Sequence, residues 1–200
     1  MKFTSMAKIA GALALTFSLA GCIDMTEDIL VTSTTTAKAT ITQTMGADIY
    51  AMVKAAEEGG SDSKPFCKGT GETLTDNDDK SGTCVIISEG AFADLTYGDD
   101  DSTGKPIFKD NGDGTVRVSI VTKGMMGDMG AEGQDAETAA MLKQMFDGHF
   151  LTIRFGGSEI VETNMEKTAE GNYAETKIPF TGLLDGTAKL PDELYAVVKP

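Results

Sequence analysis

Leu19-Ala20-Gly21-Cys22 closes a basic-then-apolar leader, and that feature limits what the rest of the chain can become. Lys2 and Lys8 supply a positive start, and Ile9 to Ala20 form an apolar run shorter than the roughly 20 residues a bilayer-spanning helix needs. The pattern reads as a bacterial lipobox. Residues 1–21 are then a lipoprotein signal peptide, and Cys22 is the diacylated, membrane-anchored first residue of the body. An ordinary secretory leader with an accidental cysteine, or a buried helix, is the alternative. What folds is residues 22–200, expected as a single extracytoplasmic domain with room for one core.

The net charge of the chain is −14, and the leader holds two lysines and no acid, so the body carries about −16 on its side chains. That sign excludes the usual modes of nucleic-acid binding, which need clustered Lys and Arg or a basic stretch interleaved with aromatics. It also opposes electrostatic docking on anionic lipid, which leaves membrane attachment to the acyl anchor. Ile23 stands after Cys22 where an aspartate would favour inner-membrane retention in Gram-negative sorting, which hints at the outer membrane.

With Cys22 assigned to lipid, Cys67 and Cys84 remain in an oxidising compartment and are expected to form a disulfide around a loop rich in Gly, Thr, Asp and Asn. A redox pair or thiolate metal site is the alternative. The absence of CxxC spacing and the single histidine argue against it.

Asp24 to Thr44 is dominated by β-branched residues and reads as a strand or strand pair. Ile49, Met52, Val53 and Ala56 recur at helical spacing over Ala47 to Glu57, and Gly59-Gly60 ends that helix. Ser61 to Gly82 reads as a polar loop, followed by a short apolar strand, Cys84 to Ser88. Ile107 to Lys109 and Val116 to Val121 flank a glycine-rich turn and predict a hairpin. A second helix is expected over Asp135 to Phe146, closed by Asp147-Gly148. His149 to Phe155 alternates as a strand, as do Glu159 to Glu162, Asn172 to Pro179 and Glu193 to Val198. Strands outnumber helices and short turns can join most neighbours. The expectation is an α+β fold: a mainly antiparallel, curved β-sheet packed with two principal helices.

Several stretches together resemble the LppM-type envelope lipoproteins. They are the lipobox, the threonine-rich first strand followed by a helix, and Ala91-Phe92-Ala93-Asp94-Leu95. To these are added the Gly156-Gly157 corner, Ile160-Val161-Glu162-Thr163-Asn164, and Tyr173 to Phe180. The resemblance implies an extracytoplasmic α+β domain that binds a lipid or envelope component, and it implies no catalytic residues.

Candidate chemistry falls on three sets of side chains. Asp99, Asp101, Thr103, Gly104 and Asp110 fit positions of an EF-hand-like calcium loop, with Asp99 and Asp101 as its leading ligands. Solvated acidic turns are the plainer reading in so acidic a chain, Pro106 interrupts the loop, and no cofactor is otherwise expected. Met125, Met126 and Met129, with Met141, Met145 and His149, could present thioether and imidazole ligands to Cu(I), although methionines at helical spacing more often fill a core. The same five methionines could instead line an apolar ligand pocket, with the Gly124 to Gly133 segment as its lid. Gly156-Gly157-Ser158 lacks the closing glycine of a nucleophile elbow, and no acid–base pair stands out, so the chain is read as no enzyme. The expected function is a membrane-anchored envelope lipoprotein that binds a lipid or other apolar ligand. The alternative is a structural or assembly lipoprotein that contacts other envelope proteins.

Overall fold

The computed structural model describes residues 23–59, 66–69, 71–97, 105–123 and 136–200. The chain opens with a hairpin, β1 (Ile23–Val31) and β2 (Thr36–Met45), closed by a turn in which Thr32 and Ser33 N–H donate to the Thr36 carbonyl. Ile29, Val31, Ala37, Ala39 and Ile41 are buried on one face of this hairpin. Thr26, Thr40, Thr42 and Thr44 alternate with them on the other, where a β-branched hydroxyl suits a strand that borders water.

Helix α1 (Ala47–Glu58) follows at once, and Tyr50 anchors it. A Cβ on Gly82 would lie 2.5 Å from the Tyr50 ring, so only glycine lets the helix settle against that strand. β3 (Glu72–Asp76) and β4 (Gly82–Ala91) form a second hairpin, and β4 continues into a short 3-10 helix, Phe92–Asp94. Then come β5 (Ile107–Asp110), β6 (Val116–Val121), α2 (Ala136–Phe146), β7 (Phe150–Gly156), β8 (Glu159–Thr163), β9 (Glu166–Lys167), β10 (Tyr173–Pro179), α3 (Phe180–Leu184) and β11 (Glu193–Lys199).

Seven of these strands form one sheet in the order β3-β4-β2-β1-β7-β10-β9, and four form another in the order β5-β6-β11-β8. The pairings are antiparallel except between β1 and β7, which run parallel. The fold is α+β, as the sequence indicates. The buried faces of the two sheets meet in one core: Ile29, Ile153, Phe155 and Ile178 from the large sheet, and Val116, Val118, Ile120, Leu194 and Val198 from the small one. Burying such side chains contributes about 1.5–3 kcal/mol each. The chain crosses between the sheets at Gly156-Gly157, where a Cβ on Gly157 would lie 2.2 Å from Val198 Cγ1 and 2.3 Å from the Lys199 carbonyl oxygen.

Three details depart from the sequence reading. The polar stretch 61–82 contains β3, an edge strand whose exposed Thr73 and Thr75 leave no apolar alternation to read. The strand at Cys84 extends to ten residues because β2 pairs along its whole length. The strand after Gly156-Gly157 does not continue its sheet but joins the other one.

Candidate functional site

On β1 and β2 the inward side chains become less buried toward the start of β1, while Leu151 and Ile178 on one side and Cys84 on the other stay buried at the same level. Along β1 the inward residues are Val31, Ile29, Glu27, Met25 and Ile23, and the first two are fully buried while the last three are only partly so. The same gradient runs along β2, from Ala37, Ala39 and Ile41 to Gln43 and Met45. Registers align these positions across strands. Met25 pairs with Gln43 and Leu151, and Glu27 pairs with Ile41 and Ile153. The partly buried positions of β1 and β2 lie toward the start of β1.

Glu27 is the anomaly on this face. Its neighbours across the strands are Ile41, 4% exposed, and Ile153, fully buried. Among the described residues it makes no hydrogen bond or ion pair, and burial alone pushes its carboxyl up to about 7. The nearby titratable group is Tyr97. The segment after the 3-10 helix lies along the inner face, where Thr96 N–H donates to Ser88 Oγ at 3.0 Å and Leu95 is buried in the core. The Tyr97 hydroxyl is buried with no hydrogen-bond partner among the described residues. Burial and then the charge of Glu27 push its phenol well above the ordinary range. The Tyr97 hydroxyl is thus buried without a partner, while Glu27 and Gln43 are the polar, partly buried inward positions of β1 and β2. Glu27 was legible as the one acid in the inward series Met25, Glu27, Ile29, Val31; Tyr97 carried no such signal.

Of the residues singled out from sequence, Cys67 and Cys84 are joined, with Cα atoms 5.5 Å apart. Glu72 lies close to both sulfurs, but a disulfide has no thiolate to offer a metal. The bridge fastens the end of the loop after α1 to the buried side of β4. There Phe66 packs edge-on against Tyr50, and Tyr50 Oη donates to Asp76 Oδ1 at 2.8 Å. On α2, Met141 is 56% exposed and Met145 is partly buried. His149 Nδ1 lies 3.0 Å from Asp24 Oδ2, so that nitrogen is engaged with a carboxylate. Cys22, Met125, Met126, Met129, Asp99 and Asp101 lie outside the described residues.

The other acidic loops are hairpin turns of one construction. In Asn77 to Ser81, Asn77 N–H donates to the Ser81 carbonyl, Asn77 Nδ2 donates to Ser81 Oγ, and Asp79 Oδ1 accepts from Ser81 N and Oγ. Asn111 to Thr115 repeats every one of these bonds, with Asp113 in the place of Asp79. These hydrogen bonds hold the Asp79 and Asp113 carboxyls below the usual carboxylate range. Asp110 accepts from Gly112 N–H at 2.8 Å in the second turn. Short acids cap backbone here.

No protein-family model and no curated protein matches the sequence. Among solved structures, the chain is similar to the folded domain of LppM from Mycobacterium tuberculosis, determined by NMR. The two share 13% sequence identity over 88% of this chain and 89% of that one, with a TM-score of 0.47.

Proposed function

We propose that this chain is a lipid-anchored lipoprotein of the bacterial cell envelope whose body binds a lipid or another apolar ligand. The observation that carries the reading is the gradient on the inner face of the large sheet. The inward positions of β1 and β2 pass from sealed core to the partly buried Ile23, Met25 and Met45, with Glu27 and Gln43 among them, toward the start of β1. β1 starts at Ile23, one residue after Cys22, so an acyl anchor there would hold that end of the sheet against the bilayer. An apolar molecule leaving the membrane would meet the partly buried Ile23, Met25 and Met45 first, with roughly 0.8 kcal/mol per buried CH₂ to draw it in. Among the described residues the large exposed apolar side chains are Met52, Leu74, Ile87, Ile107, Val121, Met141, Phe150 and Val161.

The test is mass spectrometry of the full-length protein expressed in a bacterial host and purified from its membranes. The denatured intact mass should show a chain that starts at Cys22 and carries acyl groups. The native mass should show a further noncovalent lipid at near-equimolar amount, identified after organic extraction. An unacylated chain would overturn the anchor. A clean native mass that stays unchanged after incubation with envelope lipids would overturn ligand binding in favour of the assembly role.

A further inference from the structure

Helix α1 lies along one rim of the large sheet. Ile23, Met45, Gly82 and Asp76 pair across β1, β2, β4 and β3 in a single row, and each stands at an end of its strand. α1 follows that row in order. It starts two residues after Met45, its Tyr50 ring packs on Gly82, and Tyr50 Oη and Lys54 Nζ reach Asp76 Oδ1 at 2.8 and 2.9 Å. The two strand spacings from β2 to β3 come to about 10 Å, and the helical rise from Gly46 to Lys54 is about 12 Å, so helix and rim match in length.

The side of α1 turned away from the sheet is apolar. Tyr50 is its buried residue, while Ala51, Met52, Ala55 and Ala56 are exposed, Met52 to 67%. Steps of one, three and four residues gather these four on one side of the helix, and Asp48 and Glu58 bound them at its two ends. The same rim holds the start of the body. Ile23, in the row that α1 follows, is next to Cys22 in the chain, so an anchor on Cys22 leaves no linker between bilayer and rim.

We propose that α1 is an interfacial helix, whose face of Ala51, Met52, Ala55 and Ala56 lies on the bilayer that holds the Cys22 acyl chains, with the large sheet standing on that rim. This rests on the anchor in the reading above and says how the body sits once anchored. Four short side chains bind a bilayer weakly by themselves, but a chain already tethered at the adjacent residue pays no further cost of encounter. The lipid surface that fits is zwitterionic. The one cation of α1, Lys54, is engaged with Asp76, and a body of about −16 is repelled by anionic head groups.

The chain has no tryptophan, so a single one reports its own surroundings. Acylated full-length Met52→Trp, purified from bacterial membranes, is reconstituted into phosphatidylcholine vesicles with brominated acyl chains. Thr35→Trp, in the β1–β2 turn about 30 Å away along β1, is the comparison. Met52→Trp should shift its emission to the blue and lose more than about half of its intensity to bromine, and Thr35→Trp should lose less than about a tenth. Adding Ala55→Asp to Met52→Trp should restore most of the lost emission, while vesicle flotation and circular dichroism show a protein still anchored and folded. Equal quenching at the two positions, quenching that survives Ala55→Asp, or an unquenched Met52→Trp protein that floats with the vesicles overturns the interfacial helix and leaves the anchor standing. A chain that carries no acyl group and does not float fails the anchor and the docked helix together.

Discussion

Arg154 on β7 and Asp28 on β1, 126 residues apart in sequence, form an ion pair at 2.9 Å across the parallel strands on the outer face of the large sheet. The same guanidinium lies 3.2 Å from Glu175 and 4.4 Å over the ring of Tyr173. One cation therefore ties β1, β7 and β10 together. Arg154→Leu keeps the aliphatic stem but leaves Asp28 and Glu175 facing each other without a positive partner. The expected loss is about 1–2 kcal/mol by urea unfolding, because the groups are partly screened by water. Adding Asp28→Asn to that variant should recover part of the loss, as the repulsion disappears.

Glu27 makes stability fall as the pH rises through neutrality. Burial raises its folded pKa from an ordinary value near 4.5 to about 7, so the native state holds the proton more tightly than the unfolded chain between those values. The favourable contribution is complete below pH 4.5 and is gone above pH 7. The carboxylates whose pKa is lowered in the fold, Asp79 and Asp113 among them, act in the opposite direction but at more acid pH. Urea unfolding at pH 5 and pH 8 should therefore show the wild type weaker at pH 8 by about 1–3 kcal/mol. Glu27→Gln should remove most of that difference, and an unchanged difference would place the proton elsewhere.

The paired turns predict an improvement. Lys80 occupies φ +68° at the position where the second turn has Gly114 at φ +87°. A non-glycine residue in that region carries a steric cost that glycine lacks. Lys80→Gly is expected to stabilise the protein by about 0.5–1 kcal/mol, and Gly114→Lys to destabilise it by a similar or larger amount. A pair of thermal melts decides this.

Loss of the Cys67–Cys84 bridge should cost about 3 kcal/mol, the value for a loop of this length in the chain-entropy account. Replacing both cysteines by serine and reducing the wild type should give the same shift in urea midpoint. Amide exchange in α1 should rise most, because Tyr50 packs against Phe66, next to the bridge.

Elements whose alternation is enforced by burial were legible from sequence. Leu151, Ile153 and Phe155 are buried while Phe150, Thr152 and Arg154 are not, and β7 stands where that pattern puts it. The hairpin of β5 and β6 follows the same logic. Helix α1 stands where the helical spacing puts it, but its buried residue is Tyr50, while Met52 and Ala56 of the expected apolar face are exposed. β3 was hidden because its neighbour β4 supplies its hydrogen bonds while its own side chains face water. The assignment of β7 and β8 to different sheets could not be read, since Gly156-Gly157 signals a break in the chain but not the direction in which it resumes. For the site, Glu27 interrupts a local pattern and could be seen. Tyr97 acquires its place only when the segment beyond β4 folds back over a strand some 70 residues earlier, a distance no local pattern encodes.

The lateral neighbours of β1 also bear on how the molecule is made. Its partner on one side, β2, is the next strand to be synthesised, but its partner on the other, β7, does not exist until Phe150–Gly156 has been translated. Through that interval the first hairpin presents a row of unsatisfied backbone groups along the edge that will become the middle of the sheet. Pairing so distant in sequence is slow to form and leaves an emerging chain open to wrong partners. The large sheet therefore cannot be completed piecemeal as the chain emerges. A nascent chain that stops before residue 150 can pair β3, β4, β2 and β1 but leaves the outer edge of β1 open.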